Sequence, residues 1–172
     1  MSKHKGLIII TGASRGIGLA LVNRYLTAGH PVLAVARSTA AMKPHMNLTT
    51  LDADLSTREG LDRVSDQVAR LGLPIEVLIN NAGLQNTIDL TGPETPDDDA
   101  DRIRDEISLN LTAPILLARS LLGFMLRPGG AIVNVTSLVS RHPKPSAPVY
   151  STRKARPRPL RAADRDRGSG RG

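Results

Sequence analysis

A tyrosine and a lysine near the end of the chain have the spacing of a proton-transfer pair. Tyr150 and Lys154 are separated by Ser-Thr-Arg, so in a helix they share one face. A lysine cation beside a phenol lowers the pKa of that phenol, which makes it a usable proton donor and acceptor. Taken alone, the two residues could equally be an exposed surface pair.

A glycine-rich segment near the start of the chain has the form of a nucleotide-binding turn. Thr11 to Gly18 reads Thr-Gly-Ala-Ser-Arg-Gly-Ile-Gly and follows the apolar run 7–10. Between a strand and a helix, glycines let the backbone approach a pyrophosphate, whose charge the helix N-terminus attracts. The spacing is Gly-x-x-x-Gly-x-Gly rather than Gly-x-Gly-x-x-Gly. An ordinary glycine-rich turn is the weaker interpretation, because the segment directly follows the first strand.

The end of the second apolar run indicates which dinucleotide such a turn would accept. An acidic residue there would hold a ribose 2′-hydroxyl, whereas an arginine accommodates a 2′-phosphate. The run ends Ala36-Arg37 without a carboxylate, and Arg15 in the glycine-rich turn adds a second cation. Two guanidinium groups suit a phosphate, so NADP(H) is favoured over NAD(H). The alternative is that both arginines are solvated surface residues.

Apolar runs and their periodicity predict the elements that must position these residues. Short apolar runs predict strands at 7–11, 32–36, 48–53, 77–79 and 131–136. Helical spacing predicts helices over 17–28, from a capping box at Ser56–Glu59 through Leu71, and over 103–115. Residues 89–101 are expected to be a polar loop in which Asp97 to Asp99 lead into the helix. Alternating strands and helices predict an α/β fold with a parallel sheet.

Composition excludes several classes of protein. The 172 residues include no cysteine, which excludes disulfides and thiolate metal sites and fits a reducing compartment. The four histidines are scattered without metal-ligand spacing, so no metal site is expected. The N-terminal apolar run is too short for a targeting signal, and no segment is expected to span a membrane. We therefore expect a cytoplasmic protein.

Several motifs in the family's order give the chain a resemblance to the short-chain dehydrogenase/reductase family, in its non-extended branch. Thr11 to Gly18 resembles the family's cofactor loop, and Asp54-Leu55 resembles its adenine-contacting pair. The resemblance covers roughly residues 5–155, and its other motifs are Asn80-Asn81-Ala82-Gly83 and the tetrad Asn110, Ser137, Tyr150 and Lys154. It implies a Rossmann-like doubly wound parallel sheet.

The resemblance also implies a role for each matched residue. Tyr150 would exchange a proton with the substrate oxygen, Ser137 would hydrogen-bond that oxygen, and Lys154 would hold the nicotinamide ribose. Asn110 would hold a water that relays protons from Lys154 to solvent. Singly, Ser137, Asn110 and Asp54 could be ordinary strand-end, helix-face and turn residues. The implied cofactor-binding residues are Gly12, Ser14, Arg15, Gly16, Ile17, Gly18, Arg37, Asp54, Leu55, Asn81, Ala82, Gly83, Tyr150 and Lys154.

The sequence after Lys154 departs from the family pattern. Residues 155–172 hold six arginines and two aspartates, which contribute +4 of the net charge of +7. Their prolines oppose continuation of the helix, so we expect a Rossmann domain over 1–154 and a disordered Arg/Pro/Gly-rich tail over 155–172. Arg153 also places a bulky cation where the family has a small residue. We interpret this departure as a C-terminal truncation, which would leave the edge of the sheet incomplete and compromise the homo-oligomer typical of the family.

Three functions follow from these patterns. The leading hypothesis is an NADP(H)-dependent oxidoreductase that interconverts a small-molecule carbonyl and an alcohol, and truncation puts the activity of this chain in doubt. The second is a non-catalytic nucleotide-binding remnant. The third is nucleic-acid binding by the tail, which has no aromatic residues to stack bases, so we expect neither a nucleic-acid nor a membrane partner. The substrate itself is not readable from the sequence.

Overall fold

The strands of this protein lie side by side in one parallel sheet. The computed structural model describes residues 5–87, 96–125, 129–137 and 150. Its strands are β1 (Leu7–Thr11), β2 (Val32–Ala36), β3 (Leu48–Asp52), β4 (Ile75–Asn80) and β5 (Ala131–Asn134). They form a five-stranded sheet in the order β3-β2-β1-β4-β5, and every neighbouring pair is parallel. The predicted strands are confirmed, with shifts of up to two residues at their ends.

Helices lie between β1 and β2, between β3 and β4 and between β4 and β5, whereas a helix-free turn joins β2 to β3. The helices are α1 (Gly16–Thr27), α2 (Arg58–Leu71), α3 (Pro96–Ile107) and α4 (Ala113–Leu121). A π-helical segment, Ser108–Thr112, joins α3 to α4, and a 3₁₀ turn, Leu122–Phe124, follows α4. Gly72 adopts φ +61° as the C-cap of α2, in the left-handed region that favours glycine. The predicted helix over 103–115 is therefore the middle of a longer helical run.

Apolar side chains fill the space on both faces of the sheet. On one face, side chains of β1, β2 and β4 pack with α2 and α4, including Val64, Val68, Leu117 and Leu121. On the other face, alternate residues of the same strands pack with Val22 of α1. Because β1 and β2 face helices on both sides, all of their residues are buried, which explains their continuous apolar sequence. The predicted Rossmann-like doubly wound fold is confirmed.

The first turn of α2 differs from the predicted capping box. The N-cap is Thr57, whose Oγ1 accepts a hydrogen bond from the Gly60 N–H at 3.0 Å. Ser56 was the predicted cap, but its N–H and Oγ–H both donate to Asp54 Oδ1, at 2.9 and 2.7 Å. The capping prediction was wrong by one residue because the aspartate just before the helix engages the serine.

The loop predicted over residues 89–101 was wrong in its second half, because α3 begins at Pro96. Proline is well suited to the first turn of a helix, where its missing N–H needs no partner. The acidic run therefore lies inside the first turn of α3 rather than ahead of it. Residues 88–95 lie outside the described part of the chain, as does the whole predicted tail over 155–172.

The helical run formed by α3, the π segment and α4 corrects a second expectation. Residues Asp99–Phe124 form 26 helical residues whose most apolar window has a mean hydropathy of 1.4, long and apolar enough to cross a membrane. The expectation that no segment has this length was wrong. Length and composition are weak evidence for a span, since core helices pass the same test. The side chains of Ala113, Leu117 and Leu121 are buried against the sheet.

We predict that Gly60→Ala destabilises the fold by about 1–3 kcal/mol. Gly60 is buried, and an added Cβ would overlap the carbonyl of Asp54. The matched control is Gly123→Ala, since a Cβ at Gly123 meets no atom within 4 Å. Urea unfolding checks the difference. Equal stability of the two variants would contradict the close approach of α2 to Asp54, which lies two residues after β3.

Candidate active site

The candidate site lies where the order of the strands reverses. β1 lies between β2 and β4, so the connection after β1 runs to one side and the connection after β4 to the other. In open α/β sheets, ligands bind at such a point, outside the carboxyl ends of the strands. The glycine-rich segment follows β1, and the Asn80-Asn81-Ala82-Gly83 motif begins at the end of β4. The structure therefore brings these two predicted motifs together.

The glycine-rich turn is packed too closely for side chains. Gly12 and Gly16 have φ values of +64° and +55°. A Cβ on Gly18 would overlap the carbonyl of Gly12, and one on Gly12 would lie 2.8 Å from Ala82 Cα. The N-cap of α1 is Arg15, whose side chain makes no capping hydrogen bond. The first-turn N–H groups of α1 thus receive no capping side chain from this residue, an arrangement that fits a pyrophosphate.

Thr11 and Asn81 bind the turn to the end of β4. The buried Thr11 Oγ1 accepts hydrogen bonds from the N–H groups of Asn81 and Ala82, each at 3.0 Å, and donates to Ile79 O at 3.3 Å. Asn81 Nδ2 donates to the carbonyls of Thr11 and Gly12 at 2.9 and 3.1 Å. Asn81 therefore acts on the cofactor loop through these bonds. Thr11 has the same role, and sequence reasoning did not select it as a site residue.

The predicted adenine-contacting pair has one exposed and one buried member. Asp54 is exposed, and its Oδ1 accepts both hydrogen bonds from Ser56. The side-chain bond from Ser56 is the main cause that lowers the pKa of Asp54, followed by its backbone bond and, more weakly, the Arg37 charge. Leu55 is 5% exposed and packs in the core beside α2 and α4. Only the backbone of Leu55 is therefore available for a cofactor contact.

The two predicted phosphate-binding cations are both exposed. Arg15 precedes α1 and Arg37 follows β2, so each stands at a carboxyl end beside the glycine-rich turn. The predicted cofactor contact Ile17 is also exposed, at 63%, in the first turn of α1. All three side chains are therefore accessible beside the start of α1.

Asn110 lies in the π-helical segment and holds the loop that follows β4. Its Oδ1 accepts the N–H of Leu84 at 2.9 Å, and its Nδ2 donates to the carbonyl of Leu84 at 2.7 Å. π-Helical segments are rare and occur mostly at functional sites. The N–H of Ala113 bonds to Ser108 O, five residues back, rather than to Leu109. This pattern rotates Asn110 toward the loop at residues 84–87.

A buried carboxylate supplements this contact. Glu106 of α3 is fully buried and accepts the N–H of Asn86 at 3.2 Å. Asn86 Nδ2 donates in turn to Arg102 O at 2.9 Å. Sequence reasoning missed Glu106, although its position four residues before Asn110 puts both on one helix face. The loop after β4 is therefore attached to the helix at two levels.

The remaining catalytic candidates are described only in part. Ser137 follows β5 and is half-buried, and Tyr150 is a half-buried helical residue. Lys154 lies outside the described residues, so the predicted pairing of Tyr150 with Lys154 stays a prediction. Asn80, at the end of β4, donates from Nδ2 to Asn134 Oδ1 of β5 at 2.9 Å. That bond fixes the strand whose extension carries Ser137.

Comparison with known proteins agrees with this geometry. The profile of the short chain dehydrogenase family matches residues 6–160. The chain belongs to this family. Its relatives include the uncharacterized oxidoreductase DltE of Bacillus subtilis, 34% identical over 161 residues that cover 90% of this chain and 62% of DltE. The chain thus spans less than two thirds of that relative.

Two solved structures of family-like proteins carry different cofactors. The L-sorbose reductase of Gluconobacter frateurii, complexed with NADPH and L-sorbose, is 27% identical with a TM-score of 0.76, over 88% of this chain and 59% of that one. A 4-hydroxyisoleucine dehydrogenase complexed with NADH is 26% identical with a TM-score of 0.74, over 87% and 63%. The fold of the family therefore accepts either dinucleotide, and the choice depends on local residues.

We predict that Thr11→Val destabilises the fold by about 1–3 kcal/mol, because the partly buried N–H groups of Asn81 and Ala82 lose their acceptor. The side chains are of nearly equal size, so packing changes little. The matched control is Thr50→Val on β3, where the threonine is exposed. Urea unfolding of both variants is the measurement, and a Thr11→Val chain as stable as the control would refute the role of the hydroxyl.

Proposed function

We propose that this chain binds NADP(H) across the carboxyl ends of β1 and β4 and interconverts a small-molecule carbonyl and an alcohol. The observation that carries the proposal is the glycine-rich turn, which Thr11 and Asn81 hold against the end of β4. This turn presents the N-terminus of α1 without a capping side chain. The bound cofactor would supply or accept the hydride, and the chain's own residues would bind, orient and move the proton.

The preference for NADP(H) is supported by charge. Arg15 lies in the glycine-rich turn at the start of α1, Arg37 directly follows β2, and both are exposed. A guanidinium makes strong, directional hydrogen bonds to phosphate oxygens. The NADPH-bound L-sorbose reductase is a relative with this cofactor, and the NADH-bound 4-hydroxyisoleucine dehydrogenase is the counterexample. The arginines therefore carry the argument for the 2′-phosphate.

The proposed proton path uses the four tetrad residues. Tyr150 donates its phenolic proton to the substrate oxygen during reduction, and Lys154 stabilises the phenolate that results. Ser137 hydrogen-bonds the same oxygen as charge develops on it. Both side-chain polar atoms of Asn110 already bond to Leu84. We therefore assign the relay water to the backbone of the π-helical segment and assign Asn110 the task of placing that segment.

A non-catalytic nucleotide-binding protein is the second candidate. All four residues of β5 are exposed, with Ile132 at 40% and Val133 at 44%. Proteins usually cover or protect a strand at the edge of a sheet. The exposure of β5 therefore supports a chain that binds a nucleotide without a complete catalytic site. For the leading candidate we propose a cytoplasmic protein that acts on a small molecule and has no nucleic-acid partner. Turnover separates the two candidates, because both include nucleotide binding.

We predict that Tyr150→Phe lowers the rate of carbonyl reduction by at least about 100-fold, because the phenolic proton is lost. The affinity for NADPH should stay within about twofold, since the ring remains. The matched control is Tyr25→Phe, which removes the same hydroxyl from a tyrosine outside the tetrad. The Tyr25 ring packs against the His30 ring in a T-shaped contact, with 5.6 Å between the ring centroids. The measurement is NADPH oxidation with a generic carbonyl. NADPH binding by the wild-type chain without turnover would favour the non-catalytic candidate.

We predict that Arg37→Ala lowers the ratio of NADPH to NADH affinity by about tenfold, because a charged hydrogen bond to the 2′-phosphate is lost. The control is Arg70→Ala, which removes an exposed cation from the last turn of α2. Fluorescence titration of the nicotinamide measures both affinities. An unchanged ratio would contradict the assignment of Arg37.

A further inference from the structure

A carboxylate that sequence reasoning did not consider lies beside the proposed 2′-phosphate position. Asp52 ends β3 and is the register partner of Ala36, the last residue of β2. Arg37 is the next residue along the chain. The sequence has no acidic residue at the end of β2 itself, but the neighbouring strand brings one to the same place.

Thr39 is hydrogen-bonded to this carboxylate. Its N–H and its Oγ–H both donate to Asp52 Oδ1, at 2.8 and 2.6 Å. Thr39 is 9% exposed, and its carbonyl accepts the N–H of Met42 at 2.9 Å. The turn from Arg37 to Met42 is therefore attached to the end of β3 through a single oxygen. Such short, charge-assisted bonds are stronger than neutral ones.

The charges around Asp52 define its electrostatic effect. The side-chain hydrogen bond from Thr39 is the main cause that lowers the pKa of Asp52, followed by the backbone bond and the Arg63 charge, so it is ionised at neutral pH. The Arg37 charge acts on Asp54 instead. An ionised carboxylate near a bound phosphate opposes binding, because like charges repel. A chain that binds a 2′-phosphate here must therefore hold the Asp52 carboxylate away from that phosphate.

We propose that Thr39 and Asp52 form a specificity device, in which Thr39 holds the carboxylate against the turn and away from the ribose so that Arg37 can receive a 2′-phosphate. The proposal rests on the NADP(H) preference proposed above. Asp52 and Thr39 are positioning residues, since they act through the Arg37 turn. Without the threonine hydroxyl, the carboxylate keeps only the bond from the Thr39 N–H and is less restrained from turning toward the ribose, where it would accept a 2′-hydroxyl and repel a phosphate.

The test compares 2′,5′-ADP with 5′-AMP as calorimetric ligands of the full 172-residue chain. The variants are Thr39→Val, Asp52→Asn and the double variant, with Ser65→Ala as a control that removes a hydroxyl bonded to Ser120 at 3.1 Å. We expect Thr39→Val to weaken 2′,5′-ADP about fivefold and to leave 5′-AMP within twofold. Asp52→Asn keeps an acceptor oxygen without the charge, so this variant should bind 2′,5′-ADP as tightly as the wild type. For the same reason, the double variant should recover the 2′,5′-ADP affinity that Thr39→Val loses.

The outcomes separate this proposal from the one on which it rests. A wild-type chain that binds neither ligand refutes the proposed function. Equal binding of both ligands refutes the NADP(H) preference. Each of these two results also refutes the specificity device. If the wild type prefers 2′,5′-ADP, the device is refuted by three results: no loss in Thr39→Val, an equal loss for both ligands, or no rescue by Asp52→Asn. Urea unfolding of each variant confirms that the chain is folded during the titrations.

Discussion

The hydrogen bonds between the ends of β1 and β4 are the constraint on which the rest of the site depends. Thr11 Oγ1 satisfies two N–H groups of the Asn81-Ala82 backbone, and Asn81 Nδ2 satisfies two carbonyls of the glycine-rich turn. These groups are partly buried, so partners inside the protein replace much of their contact with water. Their mutual satisfaction fixes the turn at the switch point of the sheet. The position of α1, and of any pyrophosphate bound at its N-terminus, follows from that.

The helical run from α3 to α4 extends the same constraint to the catalytic side. Asn110 bonds to both polar groups of the Leu84 backbone, and Glu106 accepts the N–H of Asn86. The loop after β4 is thus held to β1 at its start and to the helix further along. Asn110 makes these bonds from within the π-helical segment, where the N–H of Ala113 bonds to Ser108 O. The glycine-rich turn and Asn110 are in this way parts of one hydrogen-bonded unit.

The sequence predicted local structure well where one interaction dominates. β1 and β2 were readable because helices bury both of their faces, which requires unbroken apolar runs. The N-cap of α2 was not, because Ser56 and Thr57 are both good caps and the choice depends on Asp54. The site motifs were readable as family patterns, but the Asp52–Thr39 contact was not, since it depends on the register between β2 and β3. The π-helical segment does have a sequence signal that the prediction did not use, since Pro114 lies in the first turn of α4 and cannot donate an N–H to the Asn110 carbonyl four residues earlier.

The most direct test of this account is a calorimetric titration of NADPH into the wild-type chain and into an Asn81→Ala chain. If the bonds from Asn81 to the glycine-rich turn set up the cofactor site, the wild type binds NADPH and the variant binds at least about tenfold more weakly while staying folded. An Asn81→Ala chain that binds NADPH as tightly as the wild type would contradict it.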